Sequence, residues 1–215
     1  MNEEPQNNSV GGAPQLHLTS RFTSAIEYAR HIHIERRKGT DIPCMAHLLG
    51  VAALVMGEAG HAPVPVTEDM VIAALLHDAA EDHGGTLRLN DIEHNFGAHV
   101  ARMVDGLSDS LTEDPAKKQS WQERKQAYID RLRGEPADIQ LISAADKLYN
   151  ARAILEDYRE IGPLVWKRFK RGRQEQLWYF NELLQVFKAS GTTRMVQELE
   201  RVVGELSQVS ATEAD

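Results

Sequence analysis

The segment Leu76-His77-Asp78-Ala79-Ala80-Glu81-Asp82 carries four ionisable side chains at the end of an apolar run. On a helix His77 and Glu81 are i,i+4 neighbours, and so are Asp78 and Asp82, which puts all four within one stripe. Residues 70–76 are nearly all apolar, and burying such groups without partners is costly. They therefore either lie at the surface or coordinate a cation and reach a substrate. Two more polar residues stand in apolar company: His47 in Ala46-His47-Leu48-Leu49 and Asp146 in Ala144-Ala145-Asp146-Lys147-Leu148. Two imidazoles and two carboxylates suit a divalent ion such as Mn²⁺, Fe²⁺ or Zn²⁺. Ligands taken from three helices leave positions open for water and phosphate.

Each residue also has a plainer reading. His47 alone is a satisfied core histidine, Asp146-Lys147 a surface ion pair, and Glu81-Asp82 a solvated helix end. Acids at a helix C-terminus oppose the helix dipole, however, and that local penalty favours a function.

The elements that must position these residues read as helices. Phe22, Ile26, Ala29 and His33 recur at helical spacing after Thr19 or Ser20 as cap. Residues 46–58 are apolar and helical, and Gly60 to Pro65 ends them. Thr67 is an N-cap, with Glu68 and Asp69 well placed in the first turn of a helix expected over 70–82. Further helices are expected over 89–96, 97–107, 121–132, 138–157, 164–187 and 194–206. Residues 108–120 are polar and read as a loop. Alternating β-branched runs are nearly absent, so the fold class is all-α.

Composition narrows the class. The chain has 215 residues, of which 42% are hydrophobic, enough for one domain with a core. Residues 1–17 and 207–215 are expected to be disordered tails around a domain spanning 18–206. No basic and apolar leader precedes the body, and no apolar run reaches the length of a membrane helix. Cys44 is the sole cysteine, which excludes a disulfide framework and a Cys-based zinc knuckle. With 24 Lys and Arg against 32 Asp and Glu the net charge is −8, which argues against nucleic acid as a partner. A cytoplasmic protein with no membrane partner is expected, its oligomeric state left open.

The pattern His47 … His77-Asp78 … Asp146 resembles the HD phosphohydrolase superfamily. More narrowly, Leu75-Leu76-His77-Asp78-Ala79-Ala80-Glu81-Asp82 resembles the HDxxED signature of the RelA/SpoT-type (p)ppGpp hydrolase domain. Three more blocks agree in order: Arg36-Arg37-Lys38-Gly39 with Pro43 and His47, Asn95-Phe96-Gly97-Ala98-His99-Val100 with Val104-Asp105-Gly106, and Ala145-Asp146-Lys147-Leu148-Tyr149-Asn150-Ala151-Arg152. The likeness covers residues 20–190. It departs from the family at Cys44, where an aromatic is usual, at Leu48 for Pro, at Ala79-Ala80 for Val-Val, and at Ile32, where the family's His is flanked here by His31 and His33.

The resemblance implies an HD-domain helical bundle with a metal, Mn²⁺ or else Fe²⁺ or Zn²⁺, held by His47, His77, Asp78 and Asp146. It gives Glu81 and Asp82 the catalytic role of orienting or deprotonating water. Arg37, Lys38, Lys147, Asn150 and Arg152 would contact the substrate. The implied reaction is release of pyrophosphate from the ribose 3′ position of ppGpp or pppGpp, as in the single-domain small alarmone hydrolases, with no synthetase. Cys44 motivates an alternative nucleotide (an adenosine alarmone, NADPH or a deoxynucleotide), and a non-catalytic nucleotide-binding or antitoxin module is the third reading. Trp166, Phe169, Trp178, Tyr179 and Phe180 read as packing, and the basic run Lys167 to Arg173 as a solvated face, with a polyphosphate contact at the mouth of the site as the sharper alternative.

Overall fold

The computed structural model describes residues 15–112 and 119–211. Most of the expected N-terminal tail, the middle of the 108–120 loop and the final residues lie outside them. Among the described residues the structure is helical, with one isolated β-bridge between Arg36 and Pro43 and no strand. The all-α expectation holds. No helix among them is long and apolar enough to cross a membrane.

The helices are α1 (Ser20–Ile32), α2 (Cys44–Gly57), α3 (Glu68–Leu76), α4 (Ala79–Asp82), α5 (Gly85–Phe96), α6 (Ala98–Leu107), α7 (Trp121–Leu132), α8 (Ala137–Ile161), α9 (Arg173–Ser190) and α10 (Arg194–Ala211). Thr19 caps α1 by accepting from Arg21 N–H, and Thr67 caps α3 by accepting from Met70 N–H. The Thr19 N–H and hydroxyl also donate to Glu68, tying the two helix starts together.

α3 is the axis of the bundle. Every residue from Met70 to Leu76 is buried, and α1, α2, α6 and α8 pack around it. A helix apolar on all sides belongs in a core. α2 crosses both α3 and α8, and Gly50 permits that approach. A Cβ on Gly50 would fall 2.1 Å from the Tyr149 ring of α8.

Three boundaries differ from expectation. The helix expected over 70–82 is interrupted at His77-Asp78. There His77 Nδ1 donates to the Ala74 carbonyl at 2.8 Å, the acceptor that a continuing helix would offer to the Asp78 N–H. The helix expected over 164–187 is instead a 3₁₀ turn, Gly162–Arg168, followed by a break at residues 169–172 and then α9. Gly162 at φ 58° and Pro163 force that turn. The C-terminal tail expected from Ser207 is helical through Ala211. Val209 packs against the core, and its carbonyl accepts from Tyr158 Oη at 2.9 Å.

α10 covers α8 and α9 with a buried stripe of Met195, Val196, Leu199, Val202, Val203 and Leu206. Arg194 Nε donates to Glu58 Oε1 at 2.8 Å, joining the start of α10 to the end of α2.

Candidate metal centre and cleft

Four expected ligands converge at the middle of the bundle. His47 comes from the first turns of α2, His77 and Asp78 from the link between α3 and α4, and Asp146 from the middle of α8. His47 Nε2 lies 3.2 Å from His77 Nε2, 3.5 Å from Asp78 Oδ2 and 3.3 Å from Asp146 Oδ1. His77 Nε2 lies 3.2 Å from Asp78 Oδ2 and 3.6 Å from Asp146 Oδ1. Both imidazoles and Asp146 are buried, and Asp78 is half-buried.

The donor set fits a divalent metal on two observations. His77 donates through Nδ1 to the Ala74 carbonyl, which leaves its Nε2 lone pair facing the cluster. Two imidazole nitrogens also face each other between two carboxylates, an arrangement a shared cation satisfies. Burial lowers the His47 imidazole. Burial pulls on His77 in the same direction, but the Asp78 and Asp146 charges outweigh it and hold His77 well above the ordinary range. Against the same burial, the cations around Asp78 and Asp146 hold both carboxyls well below their ordinary range.

Glu81 and Asp82 do not share an environment. The break at His77-Asp78 sets them on the short α4, where Glu81 lines the inner pocket with His77 and Asp78. Glu81 Oε2 accepts from the Asp109 N–H at 3.0 Å, and burial together with the Asp109 charge pushes its carboxyl up to about 7. Asp109 in turn accepts from Arg124 at 2.6 Å and pairs with Lys125 at 2.7 Å. Asp82 is exposed. Crowding of its carboxyl by protein, followed by the charge of Asp78, pushes it to about 6. Of the two, the inner pocket is lined by Glu81.

The inner pocket, about 170 Å³, shares Lys125, Lys147, Asn150 and Tyr179 with an outer cleft of about 800 Å³. All five expected substrate contacts line the outer cleft. Arg37 donates to Asn150 Oδ1, and Asn150 Nδ2 donates to Asp146 Oδ1 at 2.6 Å, so a polar relay runs from cleft wall to cluster. Lys147 pairs with Asp146 between the rings of Tyr128 and Tyr179, 5.7 and 5.8 Å from their centroids. Lys38 stands 6.0 Å over the Phe169 ring. Arg152 is held by Glu198 of α10 at 3.0 Å.

Sequence reasoning missed Lys125 on the cleft wall and put the run containing Arg168, Lys170 and Arg171 there only as an alternative. Lys170 and Arg171 are exposed, as a solvated face requires, and together with Arg168, Phe169 and Tyr179 they also line the cleft. The missed signal was the pair of breakers, Gly162-Pro163 and Gly172, which end the helix and bring the segment between them over the cleft. Cys44 is buried and absent from the cleft wall, so its departure from the family pattern does not alter the pocket surface. It packs instead near His33.

The model of the HD domain family matches residues 25–174. The mouse protein named guanosine-3′,5′-bis(diphosphate) 3′-pyrophosphohydrolase MESH1 is 32% identical over 184 residues, covering 83% of this chain and 90% of its own. The Aquifex aeolicus guanosine-3′,5′-bis(diphosphate) 3′-pyrophosphohydrolase is 30% identical over 130 residues, 60% of this chain and 17% of that longer protein. A crystal structure of a Listeria monocytogenes EGD-e protein superposes with a TM-score of 0.62 at 31% identity, over 75% of this chain and 99% of that one. A structure described as a metazoan orthologue of SpoT that hydrolyses ppGpp has the same fold, with a TM-score of 0.69 at 23% identity, over 88% of this chain and 97% of that one.

Proposed function

This chain belongs to the HD-domain family, alongside the MESH1-type pyrophosphohydrolases, and from that premise we propose that it hydrolyses the 3′-pyrophosphate of guanosine-3′,5′-bis(diphosphate) and its triphosphate counterpart. The observation that carries this reading is the His47, His77, Asp78 and Asp146 cluster at the inner end of a cationic cleft. In a chain of net charge −8 that concentration of Lys and Arg is local, as recognition of a polyphosphate requires.

The four clustered residues would hold a divalent ion, Mn²⁺ or else Fe²⁺ or Zn²⁺. When bound, the ion supplies Lewis acidity that withdraws charge from a phosphate and makes water easier to deprotonate. The remaining steps fall to the protein. Glu81, on the inner pocket wall, accepts the proton of the attacking water. Asp82, exposed on α4 and on neither pocket wall, stays the second candidate for that role. The water oxygen bonds to the phosphorus carried on the ribose 3′ oxygen, the bond from that phosphorus to the 3′ oxygen breaks, and the 3′ oxygen leaves as a hydroxyl with a proton. GDP or GTP and pyrophosphate result. Lys147 and Arg37 neutralise phosphate charge, Asn150 fixes their geometry, and Arg168, Lys170 and Arg171 receive the far phosphates. We propose a cytoplasmic location with it, on the ground that the substrate is a nucleotide and that no helix among the described residues is long and apolar enough to cross a membrane.

Purified protein incubated with Mn²⁺ and ppGpp should release GDP and pyrophosphate, and Asp82→Ala should not. Failure to cleave any guanosine alarmone while metal is bound, with turnover of an adenosine alarmone, NADPH or a deoxynucleotide, would transfer the site to that substrate.

A further inference from the structure

A second cluster stands beside the first. It joins His33, which ends α1, Glu35 in the following loop, Cys44, which begins α2, and His83, which ends α4. His33 Nδ1 lies 2.9 Å from Glu35 Oε1 and 4.0 Å from Cys44 Sγ, and one donor atom from each of these three residues falls within 4.8 Å of the others. His83 Nε2 approaches the second Glu35 oxygen at 3.4 Å, and its ring stands edge-on to His33 with centroids 4.8 Å apart.

A plain hydrogen-bonded network leaves this cluster incomplete. The His33 side chain is 0% exposed. His33 Nε2 is a buried atom without a hydrogen-bond partner, and Glu35 Oε2 and His83 Nε2 meet only each other, at the 3.4 Å of an ion pair. Buried polar atoms are nearly always satisfied, and a buried imidazole with an open nitrogen beside a thiol, a carboxylate and a second imidazole is a set that a cation completes. None of the four residues lines the cleft or the inner pocket, so the substrate does not supply it.

We propose that His33, Glu35, Cys44 and His83 hold a second divalent cation of the zinc class, separate from the ion of the candidate metal centre. One thiolate, two imidazoles and one carboxylate form a borderline-soft set that favours Zn²⁺ over Mn²⁺. Tetrahedral bonds of about 2.0–2.3 Å separate ligand atoms by about 3.3–3.6 Å. The observed separations of 2.9, 3.4 and 4.0 Å bracket that value. On binding, the Cys44 thiol loses its proton to solvent and its sulfur lone pair bonds the cation. The ion clamps the start of α2, which carries His47, to the end of α4, which carries Glu81 and Asp82.

The test titrates Co²⁺ into the full chain after chelator treatment. Cys44 is the sole cysteine, so a thiolate-to-cobalt charge-transfer band can arise only at this cluster. The band should saturate with the second cluster, yield to added Zn²⁺, persist in His77→Ala, and vanish in Cys44→Ser with loss of one bound metal per chain. His83→Gln should weaken Zn²⁺ binding by about tenfold or more. A wild-type chain that loads metal at the first centre yet gives no thiolate band overturns the proposal, and that result depends on no variant folding. The readout is independent of turnover, so it stands or falls apart from the alarmone reaction.

Discussion

His47 Nε2 lies 3.3 Å from Asp146 Oδ1 across the α2–α8 crossing, and Gly50, one turn along α2, is what lets the two backbones come that close. The Tyr149 ring fills the space a side chain at residue 50 would need, and it also packs 5.0 Å from the His47 ring. The candidate metal centre and the helix crossing are thus one piece of packing.

Gly50→Ala places a methyl group 2.1 Å from the Tyr149 ring. Overpacking of this kind costs about 1–3 kcal/mol. The displaced α2 should also weaken metal binding. Gly57→Ala, at the end of the same helix with open space around its Cβ position, is the control and should be neutral or mildly stabilising. Thermal melts and metal titrations of both variants decide it; equal behaviour would sever the link between crossing and site.

Asp146→Asn removes a proposed ligand and the partner of Lys147. Metal content should fall, and turnover should drop by about 10²-fold or more. Chelation should lower the melting temperature of the wild-type protein and leave that of Asp146→Asn nearly unchanged, since a ligand stabilises only the fold that binds it. Calorimetry with and without chelator reads both.

Glu81 has its carboxyl raised from 4.5 to about 7. The folded state therefore binds the extra proton, and stability falls as pH rises through the window from about 4.5 to 7. Glu81→Gln removes that cost. In chelator it should be more stable than wild type by about 1–3 kcal/mol at pH 8 and by little at pH 4.5, while turnover is lost. Denaturant unfolding at the two pH values measures the difference; a gain that does not change with pH would rule out titration of this group as its source.

Lys170→Glu with Arg171→Glu reverses two charges on the cleft wall, away from the reacting atoms. KM should rise by about tenfold or more with kcat nearly constant, and the effect should shrink in high salt. Lys188→Glu, outside the cleft and paired with Glu200, should change neither. Unaltered KM in the double variant would return the segment to the role of a solvated face.

Much of this was legible in the sequence because it is local. Periodicity and caps placed α1 and α3 to within a residue or two at one end, since Thr19 and Thr67 satisfy the first N–H groups from within their own neighbourhoods, and periodicity alone placed α7. The four candidate ligands were visible as polar residues in apolar frames, because an unpartnered polar group inside a helix core is costly wherever that helix packs.

Tertiary structure decided the rest. Glu81 and Asp82 are adjacent in sequence and equivalent by type, yet Glu81 is half-buried on the inner pocket wall, bonded to Asp109 from a distant segment, while Asp82 stays exposed. Lys170 and Arg171 became cleft residues only when a 3₁₀ turn and Gly172 redirected the chain. Cys44, a departure from the family pattern, and His33, beside the departure at Ile32, looked unrelated until the end of α1 met the start of α2. The sequence by itself determined which side chains could do chemistry, since helix and cap follow from neighbours a few residues away. Which of them meet depends on how helix faces pack, and packing is set by contacts between residues far apart in the chain.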